Sequence, residues 1–115
     1  MSRRILVVED EAPIRDMLCF VLEQNGYQAA TAEDFDSAIN ALVEPYPDLV
    51  LLDIMLPGKD GMTLCRDLRA RWDGPIVLLT SLDSDMNHIL SLEMGANDYI
   101  LKTTPPAVLL ARLRL

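Results

Sequence analysis

Five short aliphatic runs alternate with stretches of helical periodicity, and that alternation leaves few folds open. The runs are Arg4-Ile5-Leu6-Val7-Val8, an alanine-rich stretch from Tyr27 to Thr31, Leu49-Val50-Leu51-Leu52-Asp53, Pro75-Ile76-Val77-Leu78-Leu79 and Asp98-Tyr99-Ile100-Leu101. Short unbroken apolar runs read as strands buried on both faces. The Tyr27–Thr31 stretch is weaker, as an edge strand is. Strands that alternate with helices imply a parallel sheet, right-handed crossovers and helices on both faces. A chain of 115 residues suits one such α/β domain.

The intervening segments carry helix signals. After Glu9-Asp10-Glu11, Pro13 falls in a first turn, where its missing N–H costs little. Ile14, Leu18, Val21 and Leu22, with Met17, form an apolar stripe that Asn25-Gly26 stops. A short helix is expected from Ala32 to Val43, capped near Glu33-Asp34, with Pro45 and Pro47 closing it off. A third begins at Asp60, turns Met62, Leu64, Cys65 and Leu68 inward, and gives way at Asp73-Gly74. The fourth runs from about Asp83 to Met94. The fifth starts near Thr103-Thr104-Pro105-Pro106 and is still running at Leu115.

Composition narrows the function. Ten basic against eighteen acidic side chains leave a formal net charge of −8, which argues against gripping a nucleic-acid backbone. No apolar run approaches the roughly 20 residues that span a bilayer, so a cytoplasmic protein is expected, with no membrane partner. Cys19 and Cys65 sit among apolar neighbours and read as buried reduced thiols, with no metal spacing. Trp72 and the methionines read as packing. His88, the one histidine, reads as a solvated helix residue and not as a phosphate donor.

The strand ends carry the chemistry. The first run ends in Glu9 and Asp10, the central one in Asp53, the fourth in Thr80 and the fifth in Lys102. In a parallel sheet these ends share one edge, where open α/β sheets bind ligands. Clustered carboxylates repel one another unless a cation lies between them. Oxygen ligands without His or Cys favour a hard ion, and Mg2+ is the natural choice. A carboxylate, Mg2+, a lysine and a hydroxyl together fit phosphoryl transfer. Each residue also has a plainer role: Glu9-Asp10-Glu11 as an acidic helix entry, Asp53 as a turn former, Thr80 as a strand end, Lys102 as a surface charge. Their coincidence at matching strand ends favours the joint reading.

The acidic pair, Asp53 followed by Ile-Met-Leu-Pro-Gly, Thr80 and Lys102 resemble the receiver domain of two-component response regulators, over the whole of residues 1–115. The nearest likeness is to the winged-helix (OmpR/PhoB-type) subfamily. It is uneven: residues 3–15 and 20–26 resemble one member, and residues from about Asp48 onward another, as in a hybrid joined near the third strand. The resemblance implies a flavodoxin-like (βα)5 sheet with strand order 2-1-3-4-5. It implies that Asp53 accepts a phosphoryl group from a sensor histidine kinase. Glu9, Asp10, Asp53 and the main-chain carbonyl of Met55 would hold Mg2+, with Glu9 acting largely through water. Thr80 and Lys102 would contact the phosphoryl oxygens, and Thr80 with Tyr99 would form the switch. An activation-dependent homodimer is implied through the fourth helix, fifth strand and fifth helix, with Asp98–Arg112 and Glu93–Arg114 as pairs across it.

Two departures from the family pattern stand out. Thr103 follows Lys102 where the family usually has proline, and a cis bond to a non-proline costs about 2.5–4 kcal/mol. DNA binding is expected only through a domain absent from this chain. The chain is expected to catalyse its own phosphorylation and slow dephosphorylation. The phosphorylated form is expected to be long-lived, because Met55 and Leu82, two positions after Asp53 and Thr80, cannot orient water. A degenerate receiver acting only as a protein-interaction module is the alternative. An aspartyl-phosphate hydrolase needs an acid where Met55 stands, and flavin binding lacks its Ser/Thr-rich loop.

Overall fold

The computed structural model describes residues 3–42, 47–53, 61–80, 98–101 and 104–113. The strands are β1 (Arg4–Val8), β2 (Gln28–Ala32), β3 (Leu49–Asp53), β4 (Ile76–Thr80) and β5 (Asp98–Leu101). Between and after them come α1 (Ala12–Gln24), α2 (Phe35–Ala41), α3 (Gly61–Arg69) and a last described helix, α4 (Pro106–Leu113). The helix expected from Asp83 to Met94, His88 included, falls outside the described residues.

All strand pairs are parallel, in the order β2-β1-β3-β4-β5. The alanine-rich β2 is an edge strand, as its weak pattern implied. Alternation along the strands sorts the core into two layers. Leu6, Val8, Val50, Leu52, Ile76 and Leu78 pack with Ala38 of α2, Cys65 and Leu68 of α3, and Trp72. Ile5, Val7, Leu49, Leu51, Val77, Leu79 and Ile100 pack with Leu18 and Leu22 of α1 and Leu109, Leu110 and Leu113 of α4. The sheet is therefore covered on both faces, which is why its central strands need no polar face.

Local chemistry sets the boundaries. Pro13 lies in the first turn of α1. The helix ends where Gly26, at φ 88°, donates to the Glu23 carbonyl at 3.2 Å and Tyr27 donates to Leu22 at 3.1 Å. Those two bonds are a Schellman closure, which needs a residue tolerant of positive φ. Asp34 caps α2: its carboxylate accepts from the Ser37 N–H at 2.8 Å while the Ser37 hydroxyl accepts from the Asp34 N–H at 3.3 Å. The Ser37 hydroxyl, and then its N–H, hold the Asp34 carboxyl below the usual carboxylate range.

Three sequence expectations need correction. The second helix does not begin at Ala32, because Ala32 pairs with Val8 and extends the sheet. Met17 is 44% exposed; it lies at the rim of the α1 stripe, whose inward arc is filled by Leu18 and Leu22. Cys19 is only half-buried, whereas Cys65 is sealed, and neither is in a disulfide. Burial raises the Cys65 thiol above its ordinary value; burial, then the nearby Glu23 and Asp16 carboxylates, do the same for Cys19.

Candidate functional site

The strand register gathers the polar strand ends. Val8 pairs with Leu52, so the next residues along, Glu9 and Asp53, leave the β1–β3 ladder side by side. Asp53 pairs with Leu79, one residue before Thr80, and Thr80 pairs with Leu101, one residue before Lys102. From β1 the chain passes to β2 on one side, then crosses back to β3 on the other. That reversal opens a crevice beyond the carboxyl ends of β1 and β3, the usual ligand position in such sheets.

Three carboxylates occupy it. Glu9 and Asp53 are buried, at 0% and 1% exposure, and Asp10 is half-buried. Each offers an oxygen within 4.8 Å of the others. Two sealed carboxylates beside a third make a concentrated negative site, costly to keep without a compensating cation. All the donors are oxygens, and they lie close enough to share one ion, directly or through a bound water. Glu9, Asp10 and Asp53 thus fit a hard divalent cation such as Mg2+. The two buried members are held by backbone: Asp53 by the β3–β4 ladder, Glu9 by an N–H donated to the Ala32 carbonyl at 3.0 Å.

Arg15 was not singled out from the sequence. Its Nη1 donates to the Glu9 main-chain oxygen at 2.9 Å and stands 3.9 Å from Glu33 Oε2. On sequence grounds it is an ordinary polar residue of α1. Its contact depends on how the turn after β1 folds back, which no periodicity reports.

The remaining expected residues divide in two. Thr80, Asp98 and Tyr99 are placed as strand positions of β4 and β5, and Arg112 lies exposed on α4. Met55, Leu82, Glu93, Lys102 and Arg114 lie outside the described residues.

Comparison with known proteins agrees with this architecture. The sequence profile of the response regulator receiver domain matches residues 5–114. The transcriptional regulatory protein RstA of Escherichia coli (strain K12) is 66% identical over 111 residues, covering 96% of this chain and 46% of RstA. The phosphate regulon transcriptional regulatory protein PhoB of the same strain is 54% identical over 117 residues, covering 99% and 51%. This chain therefore spans about half the length of these curated relatives. Among solved structures, the BeF3-activated N-terminal receiver domain of Klebsiella pneumoniae RstA superposes with a TM-score of 0.92 at 63% identity, covering 97% and 96% of the two chains. The Vibrio cholerae chemotaxis protein CheY4 superposes at 0.90 with 25% identity, covering 99% and 98%.

Proposed function

This chain belongs to the response regulator receiver domain family, and we propose that it is a phosphorelay receiver in which Asp53 accepts a phosphoryl group from the phosphohistidine of a sensor kinase. A carboxylate oxygen of Asp53 attacks phosphorus in line with the leaving imidazole nitrogen. The P–N bond breaks as the new P–O bond forms, leaving an acyl phosphate on Asp53 and returning the electron pair to the imidazole. The reading rests on one observation: two sealed carboxylates and a third share a crevice at the reversal point of the sheet.

Asp10, Asp53 and the Met55 main-chain carbonyl would hold Mg2+, with Glu9 largely through water. When bound, Mg2+ offsets the repulsion between the phosphoryl oxygens and these carboxylates. Thr80 donates a hydroxyl hydrogen bond and Lys102 a charge to the transferred group. Met55 and Leu82, expected to flank the approach to Asp53, cannot orient an attacking water, so loss of the phosphoryl group is slow. Thr80 turning toward the phosphoryl group lets Tyr99 turn inward, a two-state change biased by the modification.

The output is a symmetric dimer through the helix expected over residues 83–94, β5 and α4, with Asp98–Arg112 and Glu93–Arg114 as cross-pairs. Val108 on α4, 46% exposed, adds apolar surface of the kind such a weak dimer needs, since exposed ion pairs contribute only about 0–1 kcal/mol each. Residues 1–115 act as one receiver domain in the cytoplasm; DNA is reached through a separate domain. No helix among the described residues is long and apolar enough to cross a membrane.

Incubation with acetyl phosphate and Mg2+, followed by peptide mapping in a mass spectrometer, tests the reading. One phosphoryl group should appear on Asp53 and be absent after Asp53→Ala or without Mg2+. Substantial labelling that survives Asp53→Ala refutes it.

A further inference from the structure

The Glu9–Asp10 peptide carries an acidic side chain at each end, so the orientation of that one planar unit influences how both face the crevice. Glu9 follows the last residue of β1. Its N–H is held by the Ala32 carbonyl of β2 at 3.0 Å. Its carbonyl oxygen is held by Arg15 Nη1 at 2.9 Å. The Arg15 side chain is only 18% exposed, and the same Nη1 stands 3.9 Å from Glu33 Oε2, on a side chain that is 70% exposed. A largely covered guanidinium thus fixes the plane of the peptide between two members of the carboxylate cluster.

We propose that Arg15 is a positioning residue for the cation site: its bond to the Glu9 carbonyl orients the Glu9–Asp10 segment and thereby strengthens Mg2+ binding. This rests on the reading that the cluster binds Mg2+. A plain charge effect has the opposite sign. A guanidinium near three carboxylates lowers their pull on a cation, so deleting it for electrostatic reasons alone tightens Mg2+ binding. Positioning predicts weaker binding. The direction of the change therefore separates the two accounts. The fork geometry also matters. Lysine keeps the charge, but its ammonium is a point charge on a flexible stem and does not reproduce the rigid planar guanidinium that places Nη1 at the Glu9 carbonyl.

The test is calorimetric titration of the unphosphorylated protein with Mg2+ at fixed ionic strength. Wild type is compared with Arg15→Gln, Arg15→Lys and Asp53→Asn. Leu22→Ala, a cavity variant at a buried α1 position, serves as a destabilised control. Arg15→Gln should bind Mg2+ about 10-fold more weakly, the low end for loss of a group that orients a metal ligand. Arg15→Lys should fall between Arg15→Gln and wild type, and Leu22→Ala should bind like wild type. Equal or tighter binding by Arg15→Gln overturns the proposal, as does an equal loss in Leu22→Ala, which would make the effect one of general stability. If wild type binds no more Mg2+ than Asp53→Asn, the cation reading itself fails and takes the role of Arg15 with it. That outcome is distinct, because it appears before any change at Arg15.

Discussion

Replacing Asp53 by Asn should stabilise the metal-free protein, although it removes the residue on which the proposed chemistry depends. Asp53 is 1% exposed and offers an oxygen within 4.8 Å of both Glu9 and Asp10. Two unit charges at that spacing, with an effective dielectric constant of about 20, repel by roughly 3.5 kcal/mol. The half-exposed Asp10 is screened by water and counter-ions, which reduces its share. Asparagine keeps the shape but accepts hydrogen bonds less strongly than a carboxylate, which offsets part of the gain. The net expectation is about 1–3 kcal/mol of added stability, or roughly 4–12 °C in Tm for a domain of this size.

Urea unfolding in EDTA, followed by fluorescence, measures it. Trp72 is the one tryptophan and is buried in the sheet layer facing α2 and α3, away from the substitution. Mg2+ should then reverse the ranking. A ligand at 100 times its Kd stabilises by about 2.7 kcal/mol, a gain available to wild type and largely lost in Asp53→Asn. An Asp53→Asn protein no more stable than wild type in EDTA, or one that gains equally from Mg2+, would refute the electrostatic reasoning.

Other substitutions and titrations probe the frame. A Cβ at Gly74 runs into the buried indole of Trp72, while Arg69 pins the Trp72 and Gly74 carbonyls at 3.0 and 2.7 Å; Gly74→Ala should cost roughly 1–3 kcal/mol in urea unfolding. The Asp34 carboxyl is held below its ordinary value, so its contribution is complete above the unfolded-state pKa and fades as pH falls through the depressed one. Acid titration of Asp34→Asn should lose less stability over that window than wild type. Both thiols are raised, Cys65 by burial, so an aromatic disulfide reagent at neutral pH should label Cys65 only after denaturation and Cys19 more slowly than a free thiol.

Legibility in the sequence followed how local each cause is. Buried strands announce themselves because Val50 to Leu52 have no polar face to show. The boundary between β2 and α2 was misplaced because alanine suits either state; pairing with Val8, a contact 24 positions away, decides it. The carboxylate cluster was readable because parallel strands bring their ends to one edge whatever the loops do. Arg15 was not, since its bond to Glu9 spans 6 positions across a turn, and no single periodicity runs through both residues. Met17 shows the same limit on a smaller scale: periodicity finds a stripe, but its rim is set by what packs against it.

The site and the core are parts of one energetic arrangement. Asp53 continues the alternation of Leu49 and Leu51, residues buried at 3% and 1% exposure against the α1 and α4 layer. Burying one such aliphatic side chain contributes about 1.5–3 kcal/mol, so one or two strand residues offset the roughly 3.5 kcal/mol of repulsion between a neighbouring carboxylate pair. The β1–β3 ladder supplies several, which is why acidic groups can be sealed at its end without unfolding it. That same sealing gives a divalent cation its advantage over water as a partner for the carboxylates. A crevice at the solvent-exposed edge of β2 would hold acids more cheaply and bind cations more weakly. Placing the acids at the reversal point, where Asp53 ends a strand buried along its whole length, couples core stability to the cation affinity proposed for the site.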